Sequence, residues 1–135
     1  MFARMLTGAI AAAVLAVPAA RAQTTELPAY AYEVVADVSL VTTAEARCDG
    51  IKTNAKGVQA YVLAMYGRLQ GEGYSLPEAV KHFESEFANQ RINASADALL
   101  ARHGATKEDT AAFCGAIRAE AKENRDFRKL VKIGR

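Results

Sequence analysis

The chain contains two cysteines, Cys48 and Cys114, so each has only the other as an intrachain partner. A bond between them would close a loop of about 65 residues, and chain-entropy arguments value such a crosslink at about 4 kcal/mol. The alternative is a pair of buried thiols, which is the ordinary state in a reducing cytosol. The lack of a Cys-x-x-Cys motif argues against a thioredoxin-like redox centre and excludes haem attachment through Cys-x-x-Cys-His.

The first 22 residues have the pattern of a secretory signal peptide. Arg4 supplies the positive charge, residues 6–17 are apolar, and a small-x-small site precedes Gln23. The apolar run is shorter than the ~20 residues that cross a bilayer, and no later segment is apolar enough to do so. The mature chain is therefore predicted to be soluble and periplasmic. An oxidising compartment favours a structural Cys48–Cys114 disulfide.

The formal net charge of the chain argues against nucleic acid as a general partner, and the charged residues are unevenly distributed along the sequence. Removing residues 1–22 takes away two arginines and lowers the formal net charge from +2 to 0. A neutral chain lacks the surplus of Lys and Arg that a general nucleic-acid binder needs. Residues 23–98 carry a net −4 and residues 99–135 a net +4.

Hydrophobic periodicity predicts helix after helix. Residues 23–32 contain Pro28 and no periodicity, which predicts an extended lead-in before a single helical domain over 33–135. The segment 33–48 fits both helical and strand spacing, and the lack of a partner strand downstream favours a helix. Further helices are predicted over 52–70, 75–89, 91–103 and 106–124, and the pattern leaves open whether the helices within 76–103 are one or two. The predicted fold is all-α, a small orthogonal bundle of four to five helices whose disulfide joins the first and last.

Local signals mark several helix ends. Ser75 with Glu78, and Thr106 with Asp109, have the spacing of a capping box, and Gly104 is placed to end the preceding helix. The predicted inward side chains of the third helix are Val80, Phe83 and Phe87.

Candidate sites for chemistry are few. His82 and Glu86 are four residues apart, a spacing that can place two ligands on one metal, but no third ligand is indicated and a solvated pair is the better interpretation. His103 precedes Gly104, where a cation is favourable at a helix C-terminus. Nucleophile motifs and phosphate-binding glycine loops are absent from the sequence. We therefore predict no catalytic residues, no metal site and no cofactor, and a protein that is not an enzyme.

Basic residues concentrate near the C-terminus, interleaved with apolar ones. One interpretation is a solvated face that complements the acidic half of the same molecule. The other is an amphipathic segment that contacts an unidentified protein partner or, weakly, an anionic membrane surface. The residues predicted for this contact are Arg118, Lys122, Arg125, Phe127, Arg128, Lys129, Leu130 and Lys132.

Several short motifs together resemble a small exported bacterial family of unassigned function, the domain-of-unknown-function family 5333. They are a Cys at the end of the first helix (Cys48), the turn Gly73-Tyr74-Ser75, the stretch from Phe113 to Arg118 and the ending Ile133-Gly134-Arg135. This ending is shorter than the family pattern. The resemblance implies a helical, exported, disulfide-bearing protein and supplies no catalytic residues.

The sequence thus predicts an exported helical protein that acts as a non-catalytic binding or accessory module in the periplasm. The alternative is a small periplasmic acid-stress chaperone. Chaperones of this kind are also helical and crosslinked by one disulfide, and they work by unfolding at low pH. The partner and the oligomeric state are not indicated by the sequence.

Overall fold

The computed structural model describes residues 26–134, which form a helical bundle with one small antiparallel sheet. The predicted signal peptide and the start of the lead-in lie outside these residues. The all-α class is confirmed, with six helices among the described residues instead of four to five. The elements in chain order are α1 (Ala29–Arg47), β1 (Ile51–Thr53), α2 (Ala55–Gly71), α3 (Leu76–Phe83), α4 (Glu86–Arg102), α5 (Thr110–Glu123), α6 (Arg125–Arg128) and β2 (Val131–Ile133).

Helix α1 confirms a helix over 33–48 and begins earlier than predicted, at Ala29. Residues 29–32 therefore belong to the helix and not to an extended lead-in. Pro28 stands immediately before the first turn, where its fixed φ and missing N–H cost nothing. Tyr32 is almost completely buried, and this packing holds the first turn against the bundle.

The small sheet is the main departure from the predicted fold. Residues 51–53, the last two of which were expected at the start of the second helix, form β1 and pair antiparallel with β2. Asn54 N donates to Leu130 O at 2.8 Å, and Gly134 N donates to Gly50 O at 2.7 Å. Since the two strands lie about 80 positions apart and have three residues each, neither gives a local strand signal.

The sequence left open whether residues 76–103 form one helix or two. They form two, which separate at Glu84–Ser85. Ser85 caps α4, and its hydroxyl accepts from Ala88 N at 3.1 Å. The new helix changes which residues face inward. Val80 and Phe87 are 47% and 41% exposed, so their predicted inward positions are wrong, and the buried positions of α3 are Ala79 and His82.

Two capping predictions also need correction. Ser75 occupies the N-cap position of α3 but makes no side-chain capping bond. Helix α5 begins after Asp109, whose carboxylate accepts from Ala112 N at 3.1 Å, so Asp109 and not Thr106 is its cap. Gly104 has a φ of 68°, as expected for the left-handed residue that ends a helix.

One hydrophobic core and one disulfide hold these elements together. The large apolar side chains that repeat at helical spacing in α4 and α5 are buried, with Leu100, Phe113 and Ile117 fully so. The Cys48–Cys114 disulfide is confirmed, with a Cα–Cα distance of 5.7 Å, and it links the end of α1 to α5. Over residues 26–134 the structure contains no helix that is both long and apolar enough to span a membrane.

Candidate functional site

A cleft of about 540 Å³ opens between α1, α2, α4 and α5. Its apolar wall includes Val34, Met65 and Leu99, and most of its other lining side chains are polar or charged. The volume falls in the range of ordinary small-molecule sites, which combine an apolar wall with a few placed polar groups. The cleft is the candidate functional site because it collects the ionisable groups described below.

Asp37 of α1 lies in this cleft opposite Tyr61 of α2. The Tyr61 hydroxyl donates to Asp37 Oδ2 at 2.8 Å. Burial raises the pKa of Asp37 to about 6; the Tyr61 hydrogen bond opposes this rise, and the negative charges of Glu120 and Glu33 add to it. Burial and the neighbouring Asp37 carboxylate also raise the pKa of Tyr61, which keeps its proton on the phenol. Asp37 is thus a carboxylate that favours a proton or a cation beside it.

Glu120 of α5 is the second carboxylate of the cleft and is almost completely buried. Its Oε1 accepts from Arg102 at 3.2 Å and from Asn124 at 3.1 Å, and its Oε2 lies 2.7 Å from His103 Nε2. Burial acts to raise the pKa of Glu120, but the hydrogen bonds from His103 and Asn124 and the charge of Arg102 outweigh it, so the pKa is lowered. Unlike Asp37, Glu120 is stabilised as an anion by its own neighbours.

The charged side chains of the cleft that are not already paired with each other are mainly negative. Its two arginines are each paired with a carboxylate, Arg68 with Glu72 at 3.1 Å and Arg102 with Glu120. Glu33 stands one turn before Asp37 on α1, and like charges at this spacing repel each other. The repulsion between Glu33 and Asp37 would be relieved by a bound cation.

Neither Asp37 nor Glu120 was predicted to be functional from the sequence. The position of each within the apolar stripe of its helix could nevertheless have indicated it. Asp37 stands within the apolar stripe of the first helix, between Val34 and Val41. Glu120 does the same in the fifth helix, between Ile117 and Ala121. A carboxylate at an inward position has to be neutral, paired or functional, because burying an unpaired charge is costly.

His82 is buried and not solvated, which contradicts its predicted pairing with Glu86. Its Nε2 lies 2.7 Å from the Tyr32 hydroxyl, while Glu86 is exposed and belongs to the next helix. The Tyr32 hydroxyl also accepts from Leu27 N at 3.0 Å. His82 Nδ1 is buried without a hydrogen-bond partner among the described residues. His82 thus anchors the first turn of α1 and holds no metal with Glu86.

The predicted contact segment near the C-terminus divides into three groups. Phe127 and Leu130 are fully buried, so the prediction that they form an exposed apolar side is wrong; they fill the core beside α5 and the small sheet. The second group donates hydrogen bonds to backbone carbonyl oxygens. Arg118 donates to Asp49 O, and Arg128 donates to Ala121 O and Lys122 O. The remaining cations are exposed, namely Lys122, Arg125, Lys129 and Lys132.

The sheet adds a further lysine to this basic surface. Lys52 of β1 is the direct cross-strand partner of Lys132 of β2, and both are exposed. Like charges directly opposite on a sheet destabilise it slightly. An anion in contact with both ammonium groups would remove that cost.

Comparison with known proteins places the chain by family. Residues 25–132 match a protein-family model described as a family of unknown function (DUF5333). The chain belongs to this family. As a DUF5333 member it has a helical bundle whose disulfide joins α1 to α5. No curated protein and no solved structure matches it.

Proposed function

We propose that this DUF5333 protein is an exported, non-catalytic binding module whose cleft receives a cationic group of its ligand. The ligand chemistry is an alkylammonium or a guanidinium, carried by a small molecule or by a lysine or arginine side chain of a partner protein. The single observation that carries the proposal is Asp37, a half-buried carboxylate lining an open cleft. Its Oδ2 is fixed by Tyr61, and its Oδ1 makes no hydrogen bond within residues 26–134.

The charges around Asp37 support a cation over an anion. Arg68 is stacked on the Tyr30 ring, 3.8 Å from its centroid, and paired with Glu72, so it is already neutralised. Arg102 is bound to Glu120. Glu33 and Asp37 are left without a paired cation among the described side chains, and they face the same cleft. An ammonium group there gains two Coulombic partners in a site that excludes part of the solvent.

Export to the periplasm is part of the proposal. It is supported by the pattern of residues 1–22 and by the Cys48–Cys114 bond, because disulfides form and persist in oxidising compartments. Fractionation of the source cells would test it. We expect the protein in the periplasmic fraction with Gln23 as its first residue, and recovery of the uncleaved chain from the cytosol would contradict this part of the proposal.

Binding is tested with probes that differ only in charge. The purified protein is titrated with 1,4-diaminobutane and with the uncharged 1,4-butanediol, by calorimetry at neutral pH. We expect the diamine to bind and the diol not to. Asp37→Asn keeps an oxygen for Tyr61 but removes the charge, and losing a charged hydrogen-bond partner weakens binding by about tenfold or more. Glu45→Gln, at an exposed position of α1, is the matched control and leaves binding unchanged.

Two results would refute this function. If the wild type and Asp37→Asn bound the diamine with equal affinity, binding would not depend on Asp37 in the cleft. If the diamine and the diol bound equally well, binding would not depend on a cationic group. The non-catalytic part is checked by mass spectrometry of the bound ligand after long incubation, where an altered ligand would indicate an enzyme.

A second contact is favoured by the Lys52–Lys132 pair. We propose that the basic surface, defined by Lys52, Lys122, Arg125, Lys129 and Lys132, rests against an anionic lipid surface. Each lysine close to such a surface contributes about 1 kcal/mol, and the attraction weakens with salt. Phe127 and Leu130 take no part, because they are buried.

Vesicle co-sedimentation tests the basic surface. With vesicles rich in phosphatidylglycerol we expect Lys52→Gln/Lys132→Gln to reduce binding by about tenfold or more. The matched double variant is Lys81→Gln/Lys107→Gln, which removes the same charge elsewhere. Equal losses in both double variants would show only a net-charge effect and would refute the surface. If the wild type bound to an acidic protein but not to the vesicles, lipid would be refuted as the partner of this surface.

A further inference from the structure

A second cluster of ionisable side chains lies where α4 and α5 both end. His103 is the residue that caps α4, and Glu120 and Glu123 stand three apart in the last turn of α5. His103 Nε2 lies 2.7 Å from Glu120 Oε2 and 4.0 Å from Glu123 Oε2. The three candidate ligand atoms all fall within 4.8 Å of one another. One imidazole nitrogen thus faces two carboxylates.

A salt bridge accounts for only part of this arrangement. The Nε2 atom carries at most one hydrogen, so it can donate well to one carboxylate and not to both. A metal ion, in contrast, binds the nitrogen and both carboxylate oxygens at once. His and Glu are ordinary ligands of Zn²⁺, and in a tetrahedral site their donor atoms lie about 3.4 Å apart. The 2.7 Å and 4.0 Å separations from Nε2 differ from that value by less than 1 Å, and the separation between the two carboxylates is at most 4.8 Å.

The surroundings of the cluster support a cation. The other oxygen of Glu120 is held by Arg102 and Asn124, which fixes the carboxylate so that Oε2 points to His103. Hydrogen bonds of this kind orient metal-binding carboxylates. Two helix C-termini converge here, and each carries partial negative charge. His103 and Glu120 side chains are 11% and 5% exposed, whereas Glu123 is 70% exposed and leaves the site open to solvent.

We propose that His103, Glu120 and Glu123 bind one divalent transition-metal ion of the Zn²⁺ type, with water completing its coordination. The three side chains supply one nitrogen and two oxygen ligands. Their two negative charges, one of which is shared with Arg102, offset part of the charge of the ion. The site is separate from the cation-binding role of Asp37, although Glu120 also lines the cleft.

Zinc titration of the untagged protein, after removal of metal with EDTA, tests the proposal. The chain has two histidines, so each gives its own NMR signal. We expect Zn²⁺ to bind with a 1:1 stoichiometry and to shift the ring signals of His103 but not those of His82. Losing one ligand weakens metal binding by at least about tenfold, and we expect this of both His103→Gln and Glu123→Gln.

Glu123→Gln is the deciding variant. The Glu123 side chain is 70% exposed, so we expect the tyrosine circular dichroism of Glu123→Gln to match that of the wild type. Glu45→Gln serves as the matched control, and Asp37→Asn should still bind zinc with a 1:1 stoichiometry, because it keeps all three ligands. The zinc result therefore stands or fails independently of amine binding in the cleft. Equal zinc affinity of the wild type and Glu123→Gln would overturn the proposal, as would the absence of a zinc-induced shift at His103.

Discussion

Asp37→Asn is expected to stabilise the protein while it weakens amine binding. Burial raises the pKa of Asp37 from 3.8 to about 6, so the folded state holds the neutral form more firmly than the unfolded chain does. The stability that Asp37 contributes is fully present below its unfolded pKa of 3.8 and is lost as the pH rises through about 6. Above that value the folded protein carries a half-buried charge that the unfolded chain would keep in water.

The size of the effect follows from the two pKa values. Each pKa unit corresponds to 1.36 kcal/mol, so a rise from 3.8 to about 6 corresponds to about 3 kcal/mol at alkaline pH. Water reaches part of the carboxylate through the cleft, which reduces the expected gain in Asp37→Asn to about 2 kcal/mol. Asparagine keeps an oxygen that can accept from Tyr61, so the hydrogen bond is not lost. A gain of this size is a considerable part of the stability of a small domain.

Urea unfolding measures this prediction directly. The wild type, Asp37→Asn and the control Glu45→Gln are unfolded at about pH 8 and about pH 4, with tyrosine circular dichroism as the probe. We expect Asp37→Asn to be the most stable at the higher pH and the three proteins to converge at the lower pH. A destabilised Asp37→Asn at pH 8, or a gain that is the same at both pH values, would refute the linkage between burial of Asp37 and stability.

Four other changes probe the architecture. Gly57→Ala would place a Cβ against the carbonyl oxygen of Lys129, and since one of the two backbone segments must then shift we expect a loss of about 1 to 3 kcal/mol in urea unfolding. Phe127→Ala removes a fully buried ring, which costs about 3 to 5 kcal/mol by the same measurement. Reducing the Cys48–Cys114 bond lowers the free energy of unfolding by about 4 kcal/mol, and non-reducing peptide mapping should recover the crosslinked pair. Because the cleft aspartate favours its protonated form, we expect a cooperative, monomeric fold at about pH 5; dye binding with loss of the tyrosine signal there would favour the acid-stress chaperone.

The helices could be predicted because their signals are local. In α4, Ile92, Ala96, Leu99 and Leu100 repeat at helical spacing, and all four are buried as the pattern requires. The disulfide could be predicted for a different reason, since two cysteines in a chain with a secretory leader pattern leave one pairing. Both inferences need no knowledge of how distant segments meet.

The sheet and the cleft could not be predicted in the same way. The two strands of the sheet meet over a sequence distance that no periodicity spans. Tyr61 and Asp37 are on different helices, and the sequence places each on its own helix without indicating that they touch. The sequence does show that Asp37 occupies an inward position. Which partner satisfies it is decided only by the packing of α2 against α1.

The position of β2 has a consequence for when this protein can fold. Phe127, Leu130 and the strand that pairs with β1 all lie more than 70 positions after β1, so this part of the core cannot form until residues 127–133 have been synthesised. The segments that form α1 to α5 are therefore all made before the small sheet can form. If the protein is exported as proposed, closure of the Cys48–Cys114 bond would follow its passage through the membrane. Under that proposal the fold would be completed in the compartment where the disulfide can form.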